Sequence, residues 1–123
     1  MLTVRKQQAD ALAQVRGASF EDRMVAHLNR CVPEVTEPIG EPGTREVIRY
    51  GVTRARAHGF ITELQLCRYI DLMCFFGVDF DSDLEWARNV LAQAEPREPE
   101  ARMRRLQAAA RSELKALDAA RGR

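Results

Sequence analysis

The chain has 123 residues, of which 46% are hydrophobic and 30% charged, and its formal net charge is +1. This length fits one soluble domain with its own hydrophobic core, and the abundance of Ala, Leu, Arg and Glu favours an all-α fold. A net charge so close to zero gives no broad field for nucleic acid or for an anionic membrane, so we expect neither as a partner.

The first half of the chain contains several helix signals. Thr3 is predicted to cap a first helix, and Ser19 a second one that ends where a Pro-rich segment starts. That segment, Pro33–Gly43, holds three prolines and two glycines and is predicted to be an ordered loop. Thr44 then caps a helix that is expected to stop at Gly59.

The next helix has the best-defined start in the chain. Thr62 and Gln65 have the spacing of a capping box, in which each side chain bonds the backbone of the other residue. From there to Gly77 the helix is apolar on nearly all sides. Such a helix is central in a bundle, or a partner covers half of it.

Two further helices complete the pattern. Ser82 and Glu85 are predicted to form another capping box, and a Pro-containing linker follows at Glu95–Pro99. The final helix, about Glu98–Ala120, carries a narrow apolar stripe flanked by arginines, and residues 97–123 hold 8 Lys and Arg against 4 Asp and Glu.

We therefore predict a compact all-α bundle of five or six helices. Residues 1–95 form the helical core domain, and residues 96–123 form a linker and a basic amphipathic helix that packs on the core or docks a partner. The expected core consists of Phe20, Met24, Leu28, Val47, Ile48, Val52, Leu66, Ile70, Met73, Leu84 and Leu91.

Four side chains raise the question of zinc. His27 and Cys31 are one turn apart on one helix, and Cys67 and Cys74 two turns apart on another, but this is not a usual zinc spacing and cysteine is often buried for packing alone. The absence of a CxxC pair fits reduced thiols in the cytoplasm. We expect a cytoplasmic protein with no metal and no cofactor.

Three aspartates raise the question of a calcium site, but their pattern does not match a calcium-binding loop. Asp79, Asp81 and Asp83 imitate the start of a calcium loop, but Leu84 stands where that loop needs Gly. We expect these aspartates to complement the N-terminus of the following helix. Asp71 lies on an apolar helix, so its burial would require an arginine partner.

Catalytic motifs are missing from the sequence. The two histidines lie in separate helices, and there is no nucleophile elbow, phosphate loop or HExxH pattern, so we do not expect an enzyme. Arg45, Arg49 and Arg56 share one side of a helix, which is typical of a solvated face paired with nearby glutamates.

Apolar faces in excess of what a small domain can cover predict a protein-binding surface. A homo-oligomer is compatible with the same faces. The expected partner-binding residues are Phe75, Phe76, Met103, Leu106, Leu114 and Leu117.

The order of certain residues also carries a family resemblance. They are Phe20, Arg23-Met24, His27-Leu28, Arg49-Tyr50-Gly51, Arg54-Ala55, Gly59, Glu63, Tyr69-Ile70-Asp71-Leu72-Met73, Gly77, Phe80-Asp81, Trp86 and Leu91. Over about residues 3–92 the chain resembles small helical bacterial proteins encoded beside type VI secretion spike and toxin genes. The resemblance implies an adaptor or chaperone that holds a secreted toxin or its spike partner. An immunity protein that neutralises the toxin is the alternative, and a small helical enzyme or regulator without a recognisable motif is a further one.

Overall fold

The computed structural model describes residues 19–121, and within this range the protein is all-α with six helices and no strand. The predicted fold class is confirmed, whereas the helix predicted from Thr3 lies outside the described residues. None of the described helices is long and apolar enough to cross a membrane. The helices are α1 (Phe20–Cys31), α2 (Pro33–Ala57), α3 (Glu63–Phe76), α4 (Phe80–Asp83), α5 (Glu85–Ala92) and α6 (Pro99–Arg121).

The described residues fall into two compact units, 19–52 and 53–121, with the boundary inside α2. In the first unit, α1 begins at the predicted cap, because the Ser19 hydroxyl oxygen accepts a 3.1 Å hydrogen bond from the Asp22 backbone N–H. The buried side of α1 consists of Met24, Val25 and Leu28.

The prediction of a loop at Pro33–Gly43 is wrong, because this segment is the first part of α2. Its helical geometry is interrupted only at Gly40, where φ is 68° and ψ is 179°. Pro33 begins α2, and Pro42 is the second residue after the interruption, so both occupy positions where a backbone N–H has no acceptor within the helix. Thr44 is not a cap, since it lies inside α2 and its hydroxyl donates to the Gly40 carbonyl at 2.8 Å.

The second unit is organised around α3. Gly59, at a φ of 93°, follows the end of α2, as predicted. The capping box at the start of α3 is confirmed, since Gln65 N–H donates to Thr62 Oγ1 at 3.1 Å and Thr62 N–H donates to Gln65 Oε1 at 3.2 Å. The side-chain nitrogen of Gln65, Nε2, also donates a hydrogen bond to Glu100 Oε1 at 3.1 Å. This bond joins the start of α3 to the first turn of α6.

Packing in this unit places α3 against α4 and α6, and α5 against α4 and α6. Arg102 of α6 closes the end of α5, donating to the carbonyl oxygens of Leu91 at 3.1 Å and Gln93 at 2.8 Å. The core residues of the unit are Ala55, Phe60, Leu66, Tyr69, Ile70, Met73, Phe80, Ala87, Met103, Leu106 and Ala110.

The predicted core is partly confirmed. Met24, Leu28, Ile48, Leu66, Ile70 and Met73 are buried. The rest of the predicted set is half-buried, namely Phe20, Val47, Val52, Leu84 and Leu91. Sequence reasoning missed the buried aromatic residues Phe60, Tyr69 and Phe80.

The predicted capping box of Ser82 and Glu85 is wrong. Ser82 lies inside the short helix α4, and its hydroxyl donates to the Asp79 carbonyl at 3.3 Å. Leu84 precedes α5, which begins without a side-chain cap. The helical turn α4 begins at Phe80, whose side chain is buried. Ser82 therefore lies within this turn and not at the start of a helix.

Candidate functional site

An exposed apolar face lies where α3 ends. The inner side of α3 is buried through Leu66, Ile70 and Met73, but Phe75 is on the opposite side and is 65% exposed. On α6, Leu114 is 36% and Leu117 is 51% exposed. The helices that pack against α3 and α6 therefore leave these three large side chains exposed.

A groove with a volume of about 660 Å³ opens at this face. Its apolar walls are Phe75, Phe76, Leu84, Trp86 and Leu117, and its polar residues are Glu85, Asn89 and Glu113. We call it the Trp86 groove. Its walls come from the end of α3, the start of α5 and the last turns of α6.

Aromatic contacts fix the floor of the Trp86 groove. The Phe76 and Trp86 rings meet edge to face with centroids 5.0 Å apart, and the Trp86 ring also lies 6.1 Å from that of Phe80. The indole N–H of Trp86 is buried and has no acceptor within residues 19–121. Trp86 is therefore held by packing rather than by hydrogen bonding.

A smaller groove of about 180 Å³ shares Phe75 and Phe76 as a wall. Leu72, Ala110 and Leu114 supply its other apolar side chains. Unlike the Trp86 groove, it is also lined by two basic residues, Arg68 and Arg111, together with one acidic residue, Asp71. Phe75 thus separates two grooves of different charge.

The structure places the predicted partner-binding residues in two groups. Phe75, Phe76, Leu114 and Leu117 line the two grooves. Met103 and Leu106 are both 0% exposed, which corrects the expectation that they belong to a docking surface. The apolar stripe on α6 is one continuous pattern in the sequence, but α3 and α5 cover only its first half. The sequence does not show at which residue of α6 this packing ends.

A second cluster surrounds Asp81, whose side chain is fully buried. Its Oδ2 atom accepts hydrogen bonds from Arg54 Nη2 at 2.6 Å and from the Tyr69 hydroxyl at 2.8 Å, and it lies 2.8 Å from His58 Nε2. Its Oδ1 atom is buried and has no donor within the described part of the chain. Asp71, the residue predicted to need an arginine partner on burial, is only half-buried. Asp81 is a fully buried carboxylate with an arginine partner.

The electrostatics of the Asp81 cluster follow from burial and from these donors. Burial acts to raise the pKa of Asp81, but the bonds from His58, Arg54 and Tyr69 outweigh it and hold the pKa below its usual range. Burial, with the bond to Asp81, raises the pKa of Tyr69. Arg54 lies near the C-terminal end of α2, Tyr69 on α3 and Asp81 on α4. The cluster therefore joins the end of α2 to α3 and α4.

The cluster also corrects the role predicted for Asp81, one of the three aspartates expected to complement the N-terminus of the following helix. Asp81 points into the core instead of complementing a helix N-terminus, and Asp79 precedes α4 without a side-chain capping bond. No local sequence pattern distinguishes the buried Asp81 from the aspartates beside it, because its partner Arg54 is 27 positions away in the sequence.

The arginine stripe on α2 is an ion-pair network in the first unit. Arg45 and Arg49 both bond the Glu21 carboxylate, at 2.7 and 2.9 Å, and Arg45 also reaches Glu41 at 3.0 Å. The hydrogen bonds from Arg49 and Arg45 hold the pKa of Glu21 below its ordinary value. The expectation of arginines paired with nearby glutamates is met at these two positions.

None of the three cysteines of the chain, all within the described residues, forms a disulfide. Cys31 is exposed on α1, with its sulfur 3.7 Å from His27 Nδ1. Cys67 and Cys74 are half-buried on α3, and burial, with the nearby Asp71, raises the pKa of Cys74 to about 11.

Comparisons with protein-family models, with curated proteins and with solved structures find no match to this chain.

Proposed function

We propose that this protein is a non-catalytic protein-binding accessory factor, an adaptor or chaperone for a type VI secretion effector or its spike protein. The observation that carries the proposal is the exposure of Phe75 and Leu117, at 65% and 51%, on the walls of an open groove. Contiguous apolar surface of this kind marks interaction sites on small soluble proteins.

Energetics support a binding role for this face. Full burial of a Phe or Leu side chain contributes roughly 1.5–3 kcal/mol, so Phe75, Leu114 and Leu117 together offer a partner a substantial gain. The Trp86 groove is already shaped by packed aromatic rings, which lowers the entropy lost on binding. The secretion context rests on the resemblance described above.

Co-expression with the neighbouring toxin and spike genes tests the proposal. Affinity capture of this protein should retain one of the two gene products, and its presence should raise the amount of soluble or delivered toxin. Abolished toxicity in the recipient cell, without any effect on solubility or delivery, would instead indicate an immunity protein. Capture of neither gene product would contradict the proposal.

Two exposed leucines provide a matched pair of variants for this capture experiment. Leu117→Glu changes a groove wall, whereas Leu64→Glu changes a residue of α3 that is 53% exposed and lines neither groove. Both variants should fold, because neither side chain is buried. Only Leu117→Glu should lose the partner.

A further inference from the structure

We infer that the Trp86 groove takes an amphipathic helix of the partner, with an apolar stripe flanked by Lys or Arg side chains. The inference rests on the proposed function and adds the chemistry of the segment that is bound.

Charge supports the basic flanks. Glu85 and Glu113 both line the groove, and the described residues that line it include no Lys, Arg or His. Neither carboxylate forms an ion pair with another residue in the range 19–121. An apolar groove with two unpaired carboxylates at its edge favours a cationic amphipathic segment over a neutral or acidic one.

The course of α6 supports a helical occupant. Met103, Leu106 and Ala110 are buried, and Leu117, which lines the Trp86 groove, continues the same stripe seven residues beyond Ala110. A helix placed beside these last turns would extend the packing that already covers the first half of α6. Helix-in-groove binding uses this geometry, with anchor side chains at i, i+3 or i+4, and i+7.

Trp86 makes occupancy measurable, because it is the only tryptophan in the chain and lines the groove. The probes are three tryptophan-free helical peptides with one Leu/Phe stripe and with Lys, Gln or Glu flanking it. Titration should change Trp86 fluorescence, with the Lys peptide tightest and the Glu peptide weakest. An ion pair at each glutamate corresponds to about a twofold to fivefold gain in affinity.

Charge reversal tests the assignment directly. The double variant Glu85→Lys/Glu113→Lys should weaken the Lys peptide by about tenfold and favour the Glu peptide. A control with the same charge change, Glu95→Lys/Glu98→Lys, alters exposed residues outside both grooves and should keep the original order. Circular dichroism checks that each variant remains helical.

Three results would overturn the inference. They are the absence of a Trp86 response to any peptide, equal affinity for all three peptides, and a concentration-dependent dimer that buries Trp86 and leaves no groove for a peptide.

Failure of the basic-helix inference is distinguishable from failure of the proposed function. If partner capture is lost with Leu117→Glu but unaffected by the double reversal, the adaptor role stands and the basic helix is wrong.

Discussion

The Tyr69 hydroxyl donates a 2.8 Å hydrogen bond to Oδ2 of Asp81, and both side chains are buried. Tyr69 lies on α3 and Asp81 on α4, so the bond fixes the short helix that follows the Gly77 turn. The Tyr69 ring also packs against Phe80 with centroids 5.2 Å apart. This contact sets the position from which the chain continues towards Trp86.

Replacing Asp81 should destabilise the fold more than replacing its exposed neighbour. Asp81→Asn removes the anion that Arg54, His58 and Tyr69 share, and we expect a loss of about 3 kcal/mol in the free energy of unfolding. Asp83→Asn, on the same helix and exposed, should stay within about 0.5 kcal/mol. Urea denaturation measures both, and equal values would show that the Asp81 cluster contributes little.

The stabilisation from Asp81 should depend on pH with a defined sign. Because the folded state lowers the pKa of Asp81, the unfolded chain takes up the proton first as the pH falls. The contribution should be complete above the unfolded-state pKa of about 3.9 and be lost as the pH falls through the lower folded value. The difference in unfolding free energy between wild type and Asp81→Asn, followed from pH 7 to 3, should shrink at the acid end. Growth of that difference would contradict this sign.

The core of α3 should respond as a packed interior. Ile70 and Met73 are 0% and 1% exposed, so truncation of either to Ala should cost about 2–5 kcal/mol. Leu64→Ala, on the exposed side of the same helix, serves as the control and should cost less than about 0.5 kcal/mol. A surface-like cost at both buried positions would mean that α3 is not central.

Purified protein should contain no stoichiometric zinc or calcium. The prediction comes from the spacing of His27, Cys31, Cys67 and Cys74 and from the failed calcium pattern. Elemental analysis of protein prepared without a chelator tests it. One equivalent of zinc that disappears in Cys31→Ala or Cys67→Ala would contradict this prediction.

Local signals predicted the parts of the fold that local chemistry decides. The Thr62 and Gln65 capping box, the Ser19 cap and the Gly59 stop are all confirmed, because each depends on a few neighbouring residues. The loop predicted at Pro33–Gly43 is wrong because Pro33 and Pro42 occupy first-turn positions, where a helix tolerates proline, and because α2 also accommodates Pro38 in its interior.

The candidate site was predictable only in part. Phe75 and Leu117 were expected at a partner surface from their apolar pattern, and the structure leaves both exposed. Met103 and Leu106 have the same pattern, and only the packing of α6 on α3 and α5 separates them from Leu117. The role of Asp81 depends on partners distant in sequence, which periodicity does not reveal.

The central claim is that the face around Phe75 and Leu117 holds a protein partner. Its most direct test is the equilibrium affinity of the co-expressed partner for wild type, Leu117→Glu and Leu64→Glu, measured by calorimetry on folded proteins. We predict that Leu117→Glu weakens binding by at least about tenfold, because a carboxylate would be buried against apolar surface, while Leu64→Glu binds as wild type. Equal affinity of all three proteins would contradict the claim and place the binding site elsewhere on the molecule.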